Sequence, residues 1–306
     1  MKAIVLDQFG SIDNLQLKEV PVPVAGAGEL LIKIENAAVN PYDLKVIEVY
    51  KEQSGVSLPV IPGSELSGVV VATGEGVTKF KEGDAVCGNP GRFGGGFAQY
   101  ITTHQDWMAK KPASLSFETA AAIPVASLIA WKALFDEGKL TAGQKVLIHG
   151  ASGNVGGMAV QEAKQAGAYV IATGSGKNEQ RVKALGADVF IDYTKQDFST
   201  AVKEVDVVLD TVGGKMQTDS FKVLKEGGYL ISLIEAPSKE LATQYKVHAK
   251  VVYGGPNANR LEQILLDAAG GKIKAPVDRV FALSDAVAAL KAVKQAHPSG
   301  KILLRP

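Results

Sequence analysis

The chain has 306 residues, 46% of them hydrophobic and 21% charged, and carries a formal net charge of +1. This is the composition of a soluble globular protein, long enough for two domains with sizeable cores, and a charge balance so near zero leaves no electrostatic footprint for nucleic acid or an acidic membrane surface. A single cysteine, Cys87, and four histidines exclude an intrachain disulfide and a multi-thiolate zinc site.

The start, MKAIVLDQFG, has neither a signal-peptide apolar region nor an Arg-rich transit segment, which points to a cytoplasmic protein. The first 110 or so residues read as β. Strand-like runs KAIVL, LLIKIENAAV, SGVVVATG, DAVCG and FAQYITT are separated by Gly, Pro and Asp turns, the pattern of a sandwich or barrel. The most apolar window, Ala120 to Phe135, contains Pro124 and Lys132 and falls short of the roughly 18–20 apolar residues of a membrane span, so it is expected to be a buried helix.

From Ser114 the style changes to apolar strands alternating with helical patterns. VLIHG is followed by a helix from about Val155 to Ala166, then AYVIATGS, a helix ending at KALGA, the strands VFIDY and VDVVLDTVG, a helix near DSFKVL, and GGYLISLI. This alternation predicts an α/β fold: a parallel sheet with helices on both faces. After Tyr253 two helices are expected, Arg260 to Ala269 and about Ser284 to Ala296, before the short strand KILLRP. Nothing in this tail fixes which domain it joins.

The spacing A-x-G-x-x-G in Ala151-Ser152-Gly153-Asn154-Val155-Gly156, with Gly150 before it, follows a predicted strand and opens a predicted helix. That context is the dinucleotide-binding turn. Bare backbone approaches the pyrophosphate, and the helix N-terminus offers N–H groups and partial positive charge. An NAD site places an acid at the end of the second strand. Here Thr173-Gly-Ser-Gly-Lys-Asn178 has none, while Ser175, Lys177 and, one turn on, Arg181 suit a 2′-phosphate. NADPH is therefore the expected cofactor.

Taken together, NPYDLKV, IPGSELSGVV, GDAVCG, GGFAQY, HGASGNVGG, KALGADVFIDY, DVVLDTVGG and GKILL resemble the zinc-independent medium-chain dehydrogenase/reductase family, in its quinone oxidoreductase and enone reductase branch. The resemblance implies a GroES-like β-barrel domain (1–113), a Rossmann domain (114–250) and a return segment (251–306) completing the first. It further implies NADPH in the cleft between the two domains, and a homodimer paired through KVVYGG. Zinc-using relatives have a cysteine where this chain has Asn40, and Gly-His-Glu where it reads Gly63-Ser64-Glu65; no four-cysteine lobe follows Cys87. No metal is expected, which favours hydride delivery to an acceptor needing little activation, a quinone or an activated C=C bond.

By the same resemblance Asn40 faces the nicotinamide or substrate and Asp43 supports its loop. Tyr50 or Tyr42 is the candidate proton donor, a phenol able to hydrogen-bond a developing enolate. Tyr193 lines the 2′-phosphate pocket, Thr211 and Val212 meet the ribose, and Ser232, Leu233 and Ile234 supply partners for the carboxamide. Ile129 stands where the family usually has threonine, which narrows the pocket. His149 reads as a packed strand-end residue, Cys87 as a small apolar one, and Lys291 to Lys294 as a solvated helix face; His104, His248 and His297 form no ligand pattern. Two rival functions are a nucleotide-binding member with a structural or regulatory role, and an enoyl-thioester reductase, for which no basic cluster is evident.

Overall fold

The computed structural model describes residues 1–49, 57–91, 94–295 and 298–306. In chain order, β1 (Lys2–Leu6), β2 (Leu15–Glu19) and β3 (Glu29–Val39) lead to helix α1 (Pro41–Glu48). Strands β4 (Leu66–Thr73), β5 (Ala85–Gly88), β6 (Tyr100–His104) and β7 (Met108–Lys110) follow. The apolar window is not one helix. It is α2 (Phe117–Ala121), α3 (Pro124–Trp131) and a π-helical stretch, Lys132–Glu137. Pro124 has no N–H to continue α2 and its fixed φ suits the first position of a new helix, which is why the break falls there.

The alternating region supplies β8 (Lys145–Ile148), α4 (Asn154–Gln165), β9 (Tyr169–Gly174), α5 (Glu179–Ala184), β10 (Val189–Asp192), α6 (Phe198–Ala201) and β11 (Val205–Asp210). It continues with α7 (Gly214–Ser220), β12 (Leu224–Ser232), α8 (Lys239–Gln244) and β13 (His248–Val251). The helix expected near DSFKVL ends at Ser220. Phe221 and Val223 are buried in the core, and Leu224 already pairs with Val205 as the start of a strand. The tail forms α9 (Ala258–Ala269), β14 (Val277–Ala282), α10 (Ala286–Gln295) and β15 (Lys301–Arg305). The β14 strand was not evident in the sequence, because Val277-Asp-Arg-Val-Phe-Ala lies at a sheet edge and shows no clean alternation.

The chain divides into two compact units: Met1–Val125 with Gly255–Gly271 and Ala275–Pro306, and Ala126–Gly254 with Lys272–Lys274. In the first, a seven-stranded sheet runs β14-β15-β3-β4-β5-β7, with β6 on β3, while β1 pairs with β2. Ile32, Leu66, Val86, Phe97, Met108, Leu290 and Ile302 meet in its core. The tail thus joins this unit, with β15 antiparallel to β3. Cys87 is fully buried in β5, and burial, with Glu65 nearby, raises its thiol pKa. The native protein should therefore resist iodoacetamide, with alkylation appearing only as denaturant unfolds it; mass spectrometry across a urea series checks this.

The second unit is a six-stranded, all-parallel sheet in the order β10-β9-β8-β11-β12-β13. Its strands are nearly continuous apolar runs because both faces are covered, the Rossmann arrangement anticipated from the sequence. No helix among the described residues is long and apolar enough to cross a membrane.

Candidate functional site

In a parallel sheet every strand ends at the same edge. The chain leaves β8 for β9 on one side and later returns to β11 on the other, so the C-terminal ends of β8 and β11 flank a switch point, where open α/β sheets bind ligands. Gly150 follows β8, Ser175 follows β9, Tyr193 follows β10, Thr211 follows β11, and Leu233 follows β12. The structure therefore brings the sequence-predicted cofactor residues to one edge.

Gly150 has φ +66°, and a side chain there would meet Thr211 Oγ1 at 2.3 Å. A Cβ on Gly156 would lie 2.3 Å from the Gly150 carbonyl oxygen. Gly153 caps α4 without any side chain to accept the first-turn N–H groups, and Ala151 is buried against the turn. An uncapped, glycine-cleared helix N-terminus is what a pyrophosphate requires, so the turn formed by Gly150, Ala151, Ser152, Gly153, Asn154, Val155 and Gly156 fits a dinucleotide. Gly156→Ala should weaken NADPH binding tenfold or more, about 1.4 kcal/mol; fluorescence titration of NADPH checks it.

Beyond the turn, Asn178 Nδ2 donates to Ser175 Oγ at 3.0 Å, and Lys177 is exposed. Arg181 Nη2 donates to the Ser152 carbonyl at 2.5 Å, so this guanidinium braces the glycine turn. Tyr193 is 55% exposed. Sequence reasoning missed Asp192. Its carboxylate lies so close to Gly176 that a Cβ there would meet Oδ2 at 2.4 Å. Hydrogen bonds from the Thr194 hydroxyl and N–H and the Gly176 N–H hold it below the usual carboxylate range. With its lone pairs so engaged, Asp192 shapes the Ser175–Lys177 turn.

Asp210 was also missed as an organiser. Fully buried, it accepts from the Val212 and Gly213 N–H groups, from Gln217 Nε2 and from Ser232 Oγ. Its backbone oxygen accepts the Leu233 N–H, and Ser232 Oγ accepts that of Ile234. One carboxylate thus ties together both loops expected to meet the nicotinamide half. Val212 and Ile234 remain exposed at 49% and 43%, while Ser232 is buried and spent on Asp210. Ile129 is half-buried, its Cδ1 in contact range of a Cβ built on Gly254.

His149 is fully buried between Thr173 and Ser220. Nδ1 lies 3.0 Å from Thr173 Oγ1 and Nε2 lies 2.9 Å from Ser220 Oγ. Ser220 spends its proton on the Met216 carbonyl, so Nε2 must donate and Nδ1 must accept. Burial lowers the imidazole pKa to about 4 despite the Asp210 charge. His149 is a neutral, fully bonded core residue.

The first unit holds a different cluster. Asn40 follows β3 and caps α1, Ser64 and Glu65 precede β4, and Lys301 opens β15. Lys301 and Glu65 are 1% and 0% exposed, and Lys301 Nζ stands 2.7 Å from Glu65 Oε2 and 2.7 Å from Asn40 Oδ1. Asn40 Nδ2 donates to Glu65 Oε2 at 3.0 Å and to Ser64 Oγ at 3.3 Å. Because Lys301 can only donate, the amide orientation is determined. Glu65 Oε1 accepts the Val125 N–H at 2.8 Å, in the first turn of α3. The Asn40 N–H donates to Asp43 Oδ2 at 2.7 Å, and burial pushes the Asp43 carboxyl up to about 7.

These donors do not fit a catalytic zinc. An amide and a hydroxyl stand where thiolate and imidazole would be needed, and an ammonium already neutralises the one strong ligand, Glu65. Among the described residues no group of three or more His, Cys, Asp or Glu could hold a metal ion. Tyr42, half-buried, lines a crevice with Asp43, Pro62, Gly63, Ser64 and Gly94. Tyr50, the other proton-donor candidate, lies outside the described residues.

Residues 26–113 match the alcohol dehydrogenase GroES-like domain, and residues 185–304 match the zinc-binding dehydrogenase family. The chain is 34% identical to the 2-methylene-furan-3-one reductase of Solanum lycopersicum, over all of this chain and 79% of that protein. It is 32% identical to the chloroplastic NADPH-dependent alkenal/one oxidoreductase of Arabidopsis thaliana, over all of this chain and 80% of that one. The solved quinone oxidoreductase of Coxiella burnetii is similar across all of this chain and 99% of its own, with a TM-score of 0.92 and 34% identity. With a GroES-like unit, a glycine-turn Rossmann unit and an amide and a hydroxyl in place of zinc ligands, the chain belongs to the zinc-independent medium-chain dehydrogenase/reductase family.

Proposed function

We propose that this protein is an NADPH-dependent oxidoreductase that reduces a quinone or the C=C bond of an α,β-unsaturated carbonyl compound. The observation that carries the reading is the Asn40–Ser64–Glu65–Lys301 network, which puts an ammonium and neutral polar groups where a metal-dependent relative needs zinc ligands. NADPH, when bound, supplies the hydride. The chain's residues position the partners. The α4 N-terminus receives the pyrophosphate, Ser175, Lys177 and Tyr193 receive the 2′-phosphate, and Thr211, Val212 and residues 232–234 hold the nicotinamide half. The nucleotide thus belongs to the Rossmann domain, and Asn40, with Tyr42 beside it, belongs to the GroES-like domain and its return segment.

The position of β13 at the sheet edge supports a homodimer that extends the sheet through this strand. The near-neutral charge supports a cytoplasmic enzyme of small molecules without nucleic-acid affinity.

The test is NADPH consumption by chelator-treated protein, with a benzoquinone and a conjugated enal offered in parallel and NADH as control. Rapid NADPH loss that survives chelation is expected. Loss of activity on chelation with recovery on adding zinc, or a preference for NADH, would overturn the reading. Lys177→Ala should raise KM for NADPH about tenfold, leaving NADH kinetics nearly unchanged, since only the 2′-phosphate contact is removed.

A further inference from the structure

The groups assigned to the 2′-phosphate of NADPH sit on two loops. Ser175 and Lys177 belong to the turn after β9, and Tyr193 to the turn after β10. β10 is an edge strand, and its parallel pairing with β9 sets Asp192 beside Gly174. From there the Asp192 side chain, 14% exposed, reaches both loops. On one side Oδ1 accepts the Thr194 N–H at 3.1 Å and the Thr194 hydroxyl at 2.7 Å. The Lys195 N–H closes the same turn on the Asp192 carbonyl at 3.0 Å. On the other side the carboxylate accepts the Gly176 N–H. It packs so closely there that a Cβ on Gly176 would meet Oδ2 at 2.4 Å. Gly176 opens the 3₁₀ turn Gly176–Asn178, so a hold on its N–H is a hold on its neighbours Ser175 and Lys177.

An acid near a phosphate would ordinarily oppose it. Here the carboxylate faces three hydrogen-bond donors, and the Lys195 ammonium stands 3.7 Å from Oδ2. We infer that Asp192 is the positioning residue of cofactor selection: it fixes the loop carrying Ser175 and Lys177 against the loop carrying Tyr193, and so favours NADPH over NADH. This role rests on the NADPH reading of the site. Loops held in place before the nucleotide arrives lose less freedom on binding it. NADH has no 2′-phosphate for these loops and gains nothing from their order. The pyrophosphate turn that both nucleotides share is braced separately, by Arg181 on the Ser152 carbonyl.

NADPH and NADH titrations by fluorescence, and adenosine 2′,5′-bisphosphate against AMP by calorimetry, test this without any acceptor substrate. Wild type should prefer the phosphorylated member of each pair. In Asp192→Ala the Kd for NADPH should rise about tenfold and that for NADH stay within about twofold, with kcat at saturating NADPH little changed. Asp192→Asn should lose part of the preference, because an amide oxygen can still accept but the NH2 group meets a donor. Gly176→Ala, which drives the carboxylate away from the opposite side, should show the same selective loss. In a Lys177→Ala background, Asp192→Ala should cost much less than in wild type, because the cation it positions is gone; independent losses would multiply to about a hundredfold. Equal loss for both nucleotides would mark general damage to the fold and overturn the inference. Tighter NADPH binding by Asp192→Asn, or fully multiplicative losses, would overturn it too. If Asp192→Ala does not fold, Asp192→Asn and Gly176→Ala decide. A wild type with no preference for NADPH would sink the 2′-phosphate assignment itself, whereas a preference unchanged in all three variants would sink only the role of Asp192.

Discussion

Replacing Lys301 by methionine should cost about 3–5 kcal/mol of folding stability, among the largest effects of any single substitution in this chain. The residue is 1% exposed, and its ammonium is a 2.7 Å partner of both Glu65 and Asn40. Methionine fills the same volume but leaves Glu65 as a buried carboxylate held only by Asn40 Nδ2 and the Val125 N–H. The loss comes from that stranded charge rather than from packing. Lys301→Met combined with Glu65→Gln should therefore recover much of the stability, because the amide oxygen can still accept from Val125 and no charge is buried. Urea unfolding of the two single variants and the double variant makes the comparison. A Lys301→Met loss under about 1 kcal/mol would show that the pair is well hydrated in solution and that the ammonium does not hold Asn40 in place.

His149 should make the protein sensitive to mild acid. Its folded-state pKa is about 4, against an ordinary 6.5, because burial disfavours the imidazolium. The unfolded chain therefore binds the proton more readily. The neutral form's stabilising contribution is fully present above about pH 6.5 and declines as pH falls through the folded-state value near 4, by about 3 kcal/mol in total. Asp43 works in the opposite sense. Its folded-state pKa is raised from 3.8 to about 7, so its contribution is present at low pH and declines as pH rises through about 7. The two act in opposite senses, so neither can be read from wild type alone. Comparing ΔG of unfolding at pH 7 and pH 4.5 in wild type and His149→Gln cancels the Asp43 part. Wild type should lose more stability than the variant on acidification; equal losses would mean that the imidazole is not held neutral. The Thr173 and Ser220 hydroxyls should stay partnered in the variant, since a glutamine amide can donate to one and accept from the other.

The features legible in the sequence are local in origin. A strand, a glycine turn and a helix are encoded within a dozen residues, so the phosphate turn at 150–156 and the β–α alternation could be read directly. So, once the resemblance to zinc-using relatives supplied the positions, could the replacement of zinc ligands at Asn40 and Ser64, since it depends only on which side chain stands there. Legibility failed where a residue's meaning depends on partners far along the chain. Asp192 looked remote from the second strand's end, yet β10 beside β9 places its carboxylate at Gly176. Asp210 looked like one of several ribose-side residues, yet four donors, from the turn after β11, from α7 and from the end of β12, converge on it.

Lys301 makes the distinction sharpest. In the sequence it is one lysine in GKILL, and composition assigns lysine to the surface. Pairing of β15 with β3 carries it across 261 positions to Asn40, and burial turns a solvated cation into the counterion of Glu65. Sequence alone determined the periodicities and the glycines, which are properties of neighbouring residues, and, through resemblance to zinc-using relatives, the amide and hydroxyl that stand at Asn40 and Ser64. Only the tertiary structure decided which charges meet and which lose water. Strand order sets those distances, and desolvation sets the strength and the proton affinity of what meets there.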